Sequence, residues 1–338
     1  MNRAIWYSIF IVTLALTPVA TARADELVLT LATAAPAPNP DTIEVFMPWA
    51  ERVRGAAKDA VRIDIRDGVA LANPTNLYDR VASDVAQIGV LIPSLVGGKF
   101  PLTDVVGLPF VNSDARNASI AFWRLVKTGM LGAEYKDIVP LGFALFPPQG
   151  VHLTKAPASL DDLQGLRLRV VSKAGSESVA RLAGTPLVLD PLEQYASLQR
   201  GMLDGVVSSW MGMGVLHLTE VTAFHVETSL GTGMFMVFMM RAKYESLPPA
   251  IRQAIDQNSG EALSRAMGEA FEARSLKFRA PAAAAPDKHK IVSLSSAQSE
   301  KWRATIAPVI ENWTNTRPGG AKLLETYRAI LADLKTSQ

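Results

Sequence analysis

The 338-residue sequence has no cysteine. That excludes disulfides, cysteine nucleophiles, cysteine-ligated zinc and a lipidated N-terminal cysteine. Histidine is scarce, at four residues, and the motifs of hydrolytic and nucleotide chemistry are missing. There is no H-E-x-x-H, and no serine sits in G-x-S-x-G; Ser208 and Ser209 lie in GVVSSW. Gly212-Met213-Gly214 and Gly231-Thr232-Gly233 lack the third glycine of a dinucleotide fingerprint. Gly98-Lys99 lacks the upstream glycine of a phosphate-binding loop. His217 and Glu220 are spaced i, i+3, with His225 beyond at an irregular interval, which favours structural histidines over metal ligands. His152 and His289 stand alone in sequence. No catalytic residue, metal site or cofactor is expected, and the chain reads as a non-enzyme. Paired carboxylates leave no signature, so a secreted hydrolase stays as an alternative.

An excess of one charge sign is also missing. The formal net charge is +2, and Arg3 and Arg23 account for it. The remainder carries 32 basic and 32 acidic side chains. A neutral chain without a polybasic block has no electrostatic footprint for nucleic acid or an anionic membrane. Long apolar runs are absent too, with one short exception at the start. Arg3 precedes an apolar stretch, Ala4 to Leu16, too short to span a bilayer. Ala22-Arg23-Ala24 has the small-x-small form of a signal-peptidase site. Residues 1–24 are therefore read as a signal peptide cleaved after Ala24, and the chain as exported to the periplasm.

What is present alternates between strand and helix patterns. Apolar strand-like runs occur at Leu27–Thr33, Val61–Ile65, Gln87–Leu91 and Ile138–Leu145. Helical periodicity falls between them, at Thr42–Gly55 with Pro48 inside it, after Asn73-Pro74, and after an expected Asn112-Ser113 cap. This alternation predicts an α/β fold. Phe146-Pro147-Pro148-Gln149-Gly150 reads as a stiff loop between lobes. Met234–Met240 is continuously apolar over seven residues, which suits a fully buried strand. A long helical region is expected from Pro248 to Pro281, followed by a PAAAAP linker, a strand and two helices.

The stretch Ser159 to Trp210 is the most informative. Ser159 with Asp162 suggests a helix cap, and a strand, Leu166 to Val171, follows. Arg167 and Arg169 alternate with apolar residues there and share one face. Two readings of Arg169 are open on the residues alone. It is a surface charge, solvated or paired with Glu193 or Asp204, or it is a guanidinium fork for a carboxylate.

The runs DLQGLRLRV (162–170) and GTPLVLDPLEQYASLQRGMLDG (184–205) resemble those of the solute-binding receptors of tripartite ATP-independent periplasmic (TRAP) transporters, the DctP family. PWAERV (48–53), LYDRVASDVAQIG (77–89), GKFPLTDVVGLPF (98–110) and AKYESLPPAIRQAID (242–256) support the resemblance. It implies a two-lobed periplasmic binding protein fold with a hinge and a long lobe-spanning helix. The expected lobes are 25–148 plus 233–270, and 149–232 plus 271–338. It also implies capture of a small organic acid and delivery to small and large permease subunits, with a monomeric receptor. A receptor for a signalling partner is the alternative within the same fold. The family's ligand-binding arginine falls on Arg169. Departures at Val151, at Ser208-Ser209-Trp210 and at Met240-Arg241-Ala242 remove polar contacts. They leave Gln149, Ser208, Trp210, Phe235 and Phe146 as expected ligand contacts, and a monocarboxylate with an apolar or aromatic body as the expected ligand.

Overall fold

A computed structural model describes residues 26–190 and 193–336. The expected signal peptide lies outside the described residues. Two sheets organise the rest. The first contains β1 (Leu27–Thr33), β2 (Val61–Arg66), β3 (Ile88–Leu91), β4 (Ile138–Leu145) and β10 (Met234–Met240). Its order is β2-β1-β3-β10-β4, parallel except for β10. The second contains β5 (Gly150–Leu153), β6 (Arg167–Arg169), β7 (Thr185–Leu187), β8 (Gly205–Ser208), β9 (Phe224–Glu227) and β11 (Lys290–Ser293), in the order β11-β9-β5-β8-β6-β7.

The first sheet is covered on both faces, so its central strands are apolar on both. Met234, Met236 and Phe238 of β10 pack with Phe122 and Phe143 on one side. Val237 and Met239 pack with Trp49, Ile255 and Met267 on the other. The continuously apolar run is therefore the buried strand its composition predicts. In the second sheet, Val151, Leu168, Val207 and Val226 face helix residues Val179, Trp302 and Ile306. Burial of each large side chain contributes about 1.5–3 kcal/mol against the ordering entropy.

Several local expectations change. The helix after the 112–113 pair is capped by Asp114, whose carboxylate accepts from Asn117 N. Asn112 is instead buried, donating to the Val106 carbonyl and accepting from the Tyr327 hydroxyl. Ser159 and Asp162 close turns onto the amides of Asp161 and Gln164 and start no helix. The helical region from Pro248 breaks into Pro249–Asn258 and Glu261–Ala283. Gly260, at φ 72°, sits in the break, and a Cβ there would lie 2.8 Å from the Trp123 ring. Pro281 lies inside the second of these helices, which shortens the expected linker.

The lobes are joined more than twice. The segments after β4 and before β10 cross side by side, with Phe146 N donating to Gly233 O at 2.9 Å and Gln149 N to Gly231 O at 3.0 Å. Gly231 is needed here: its φ is 113°, and a Cβ would meet the Gly107 carbonyl at 2.4 Å. The helix Glu261–Ala283 packs on β4 and on the helix Ala115–Lys127, then continues to the helix Trp210–Val215 and β11. The helix Ser296–Thr316 places Trp302, Ile306 and Val309 in the second core and Trp313 in the first. The final helix, Gly320–Thr336, expected with the second lobe, packs Leu323, Tyr327 and Leu331 into the first core. Its apolar stripe has a matching face on the helix Ala115–Lys127, where Tyr327 and Phe122 meet edge to face.

Candidate functional site

Between the sheets lies a cavity of about 960 Å³. Its second-lobe wall includes Arg169, Ser172 and Ser208, and the crossing segments add Phe146, Gln149 and Thr232. Pro74, Ile92 and Asp104 line the first-lobe side, with Trp313 and Arg317 from the chain's last crossing.

Arg169 ends β6, pairing in register with Leu187 and Val206. It is only 6% exposed, whereas Arg167 on the same strand face is exposed. The difference follows from position. Arg167 lies at the open end of the sheet and pairs with Asp204, Nε to Oδ2 at 2.9 Å and Nη2 to Oδ1 at 3.1 Å. Arg169 lies at the cavity end. Its Nε and Nη2 donate to one carbonyl, Leu189 O, at 3.4 and 3.3 Å. Among the described residues it makes no ion pair within 4.0 Å; of the two carboxylates weighed for it, Asp204 pairs with Arg167 and Glu193 makes no such pair with Arg169. Burial lowers its pKa from the ordinary arginine value and the Asp190 charge opposes this. The guanidinium stays cationic, with donor capacity facing the cavity.

Gln149 is 8% exposed, and its main chain holds the crossing together. Among the described residues its side-chain amide makes no hydrogen bond, although it borders the cavity. Its main-chain partners fix the backbone and leave the amide to the cavity. Phe146 packs edge to face on Phe235, with centroids 5.0 Å apart, and presents its remaining surface to the cavity.

Trp210 and Phe235 do not line the cavity. Phe235 follows Met234 on β10, so alternation turns it to the opposite face, against Phe146 and Phe271. Trp210 opens a short helix capped by Ser209 and is 8% exposed. Its Nε1 donates to Glu227 Oε1 at 3.0 Å, a carboxylate also held by Arg279. Met211, Thr232 and Met234 border the cavity.

His152, His225 and partly buried His289 form a chain, while His217, weighed with Glu220 and His225 in the sequence, is exposed and lies 3.4 Å from Glu220. His152 and His225 are register partners on β5 and β9, with Nδ1 atoms 3.0 Å apart. His225 Nε2 lies 3.2 Å from His289 Nδ1, and His152 Nε2 lies 3.1 Å from the Ser208 carbonyl. That carbonyl can only accept, so His152 donates from Nε2 and accepts at Nδ1. His225 then donates from Nδ1 and accepts from His289. One neutral register satisfies every ring. Both ring nitrogens of His225 are occupied, so the three rings do not converge as metal ligands. Burial pushes the pKa of His152 down to about 4. Burial and the two neighbouring imidazoles push that of His225 down to about 3. A signal existed in the matching strands GVHL and FHVE, each with one histidine among apolar residues.

The family model for bacterial extracellular solute-binding proteins, family 7 (DctP), matches residues 31–316. The chain belongs to this family. Among curated relatives it is 26% identical over 303 residues to the outer membrane transporter protein TsaT of Comamonas testosteroni, covering 86% of this chain and 88% of that one. Among solved structures, it resembles a TRAP solute-binding protein from a marine metagenome, specific for aromatic acids and bound to metahydroxyphenylacetate. That match has 27% identity and a TM-score of 0.82, and covers 91% and 99% of the two chains. A TRAP solute-binding protein of Rhodoferax ferrireducens with copurified benzoate matches at 26% identity and a TM-score of 0.81, covering 92% and 100%. The family's fold is two-lobed, and its members are solute receptors. Among the described residues no helix is long and apolar enough to cross a membrane.

Proposed function

We propose that this chain is a periplasmic TRAP receptor that captures a monocarboxylate with an aromatic body and releases it to small and large permease subunits. The observation that carries this reading is Arg169. A nearly buried cation, with no ion pair within 4.0 Å among the described residues, faces a cavity bounded by Phe146, Ile92, Met234 and Trp313. Gln149 and Ser208 stand at the same cavity as polar contacts for the carboxylate. The helix Lys173–Arg181 starts beside them, capped by Ser172, and its N-terminal dipole adds favourable potential for an anion. Relatives that hold benzoate and metahydroxyphenylacetate support an aromatic body.

The receptor acts without catalysis and as a monomer. Removal of residues 1–24 on export leaves Asp25 as the first residue. The first lobe comprises 25–148 and 233–270, together with the final helix, and the second comprises most of the rest. Ligand bound to both walls favours a closed arrangement that the permease reads, a population shift. Thermal-shift screening of aromatic acids tests the reading, since a ligand of the native state raises the apparent melting point. Benzoate-type acids should stabilise the mature protein and leave Arg169→Ala unmoved. Equal stabilisation of the two proteins would overturn the role of Arg169. N-terminal sequencing of the exported protein tests the cleavage.

A further inference from the structure

The first-lobe wall of the cavity carries a carboxylate that the reading above does not use. Asp104 lies in the short turn Thr103–Gly107 and borders the cavity. Its neighbour Glu134 accounts for the turn's own bonds: it accepts from the amides of Leu102 and Thr103, and from Thr103 Oγ1 at 2.8 Å. Asp104 differs. Among the described residues it makes no hydrogen bond and no ion pair within 4.0 Å, although it is half-buried. Arg317 acts on it at longer range, Glu134 opposes, and burial raises its pKa above the ordinary carboxylate value. Arg317 is held elsewhere, with Nε donating to the Pro101 carbonyl at 2.9 Å and its guanidinium 5.0 Å from the Trp313 ring centre. The other two carboxylates of the cavity also have basic neighbours, Glu177 with Lys173 at 3.9 Å and Asp190 with Arg169, but among the described residues Arg317 makes neither a hydrogen bond nor an ion pair within 4.0 Å with Asp104.

A partly desolvated carboxylate without a donor is costly, and it is an acceptor only. An apolar ring edge against it leaves that cost in place. A second carboxylate there would add repulsion. A ligand hydroxyl or amino group would satisfy it with a charge-assisted bond.

We propose that Asp104 receives a hydrogen-bond donor on the ligand's ring, so that the receptor selects hydroxylated or aminated aromatic monocarboxylates over unsubstituted ones and over aromatic dicarboxylates. This rests on the reading of Arg169 as the carboxylate clamp. The two walls then divide recognition. Arg169 on the second lobe takes the acid, and Asp104 on the first takes the substituent. A ligand satisfying both bridges the lobes.

Titration calorimetry on the mature protein tests this with benzoate, the three hydroxybenzoates, the three aminobenzoates and isophthalate, on wild type, Asp104→Leu and Asp104→Asn. At least one substituted acid should bind wild type tenfold or more tighter than benzoate, and isophthalate weaker than benzoate. The hydroxy and amino series identify which donor is used. In Asp104→Leu that preference should fall to within threefold of unity. In Asp104→Asn isophthalate should gain. A preference that survives in Asp104→Leu would overturn the proposal. So would an equal loss for every acid, which would make Asp104 a lobe-closure contact. If no aromatic acid binds wild type, the underlying reading fails as well. If benzoate binds but no substituent helps, only the assignment of Asp104 fails.

Discussion

The buried imidazole chain makes folding sensitive to mild acid. In the unfolded chain a histidine takes up its proton near pH 6.5. In the folded protein His152 does so only near pH 4, because it is fully enclosed between β5, β9 and the Trp210 ring. Between those values the unfolded state binds a proton that the folded state refuses. Stability is therefore complete above pH 6.5 and falls as the pH drops, by about 1.4 kcal/mol per pH unit for each such histidine. For His152 alone the loss amounts to about 3 kcal/mol by pH 4. That is a large share of a typical total of about 5–15 kcal/mol. His225 adds a loss of the same sign that continues toward pH 3. Carboxylates held low by partners, such as Asp204 beside Arg167 and Glu261 beside Arg124, lose their contribution only below the ordinary carboxylate range. Those raised by burial, Asp41 and Glu134, act in the opposite sense as they protonate. Asp104, also raised by burial, acts in that sense too, so the histidine contribution is the difference between wild type and a variant lacking the two imidazoles. Urea unfolding followed by far-UV circular dichroism at half-unit steps measures the slope. Replacing both partners of a buried polar contact by apolar groups of similar size can be nearly neutral. The double variant His152→Leu, His225→Leu should therefore fold at pH 7.5 and show a flatter profile from pH 6.5 to 5. A double variant with the same slope as wild type between pH 7 and 5 would refute the reasoning.

Other outcomes follow from single side chains. Arg169→Ala should weaken acid binding at least about tenfold, and Arg169→Lys should also weaken it because a fork becomes a point charge; calorimetry reads both. Phe235→Leu and Trp210→Phe should leave affinity within about threefold, since neither ring borders the cavity, while lowering the unfolding midpoint. Tyr327→Phe should cost about 1–3 kcal/mol in denaturant unfolding, because it removes the 2.7 Å donor to buried Asn112.

Much of the fold could be read from periodicity. The strands at 27–33 and 138–145 and the buried run 234–240 lie where their patterns put them. The arginine pair was legible as a shared face, but burial was not: open strand end and cavity end look alike in sequence. Gln149 and Phe146 were reached through the proline-rich crossing, a local signal. Trp210 and Phe235 were misplaced because proximity in sequence to site residues does not fix the face, and one step along β10 reverses it. Asp104 and the histidine chain depend on non-local pairing. The 152–225 register partnership exists only once β5 and β9 lie side by side. The final helix was assigned to the wrong lobe for a similar reason. Its apolar stripe is compatible with either core, and only the path of the helix Ser296–Thr316 decides.

That path has a mechanical consequence. The chain passes between lobes at the paired segments 146–149 and 230–233, along the helix Glu261–Ala283, and again through the helix Ser296–Thr316. Several tethers at different points oppose sliding and twisting, which would leave rotation about the paired segments as the soft coordinate. Gln149 lies within those segments, so rotation about them would carry it little; exposed Val188 and Leu95 border the cavity from the second and first lobes. On the proposed reading, a carboxylate seated near Gln149 would be held close to the fulcrum, where small rotations disturb it little. On the same reading, the far end of the ligand would set how wide the jaws remain.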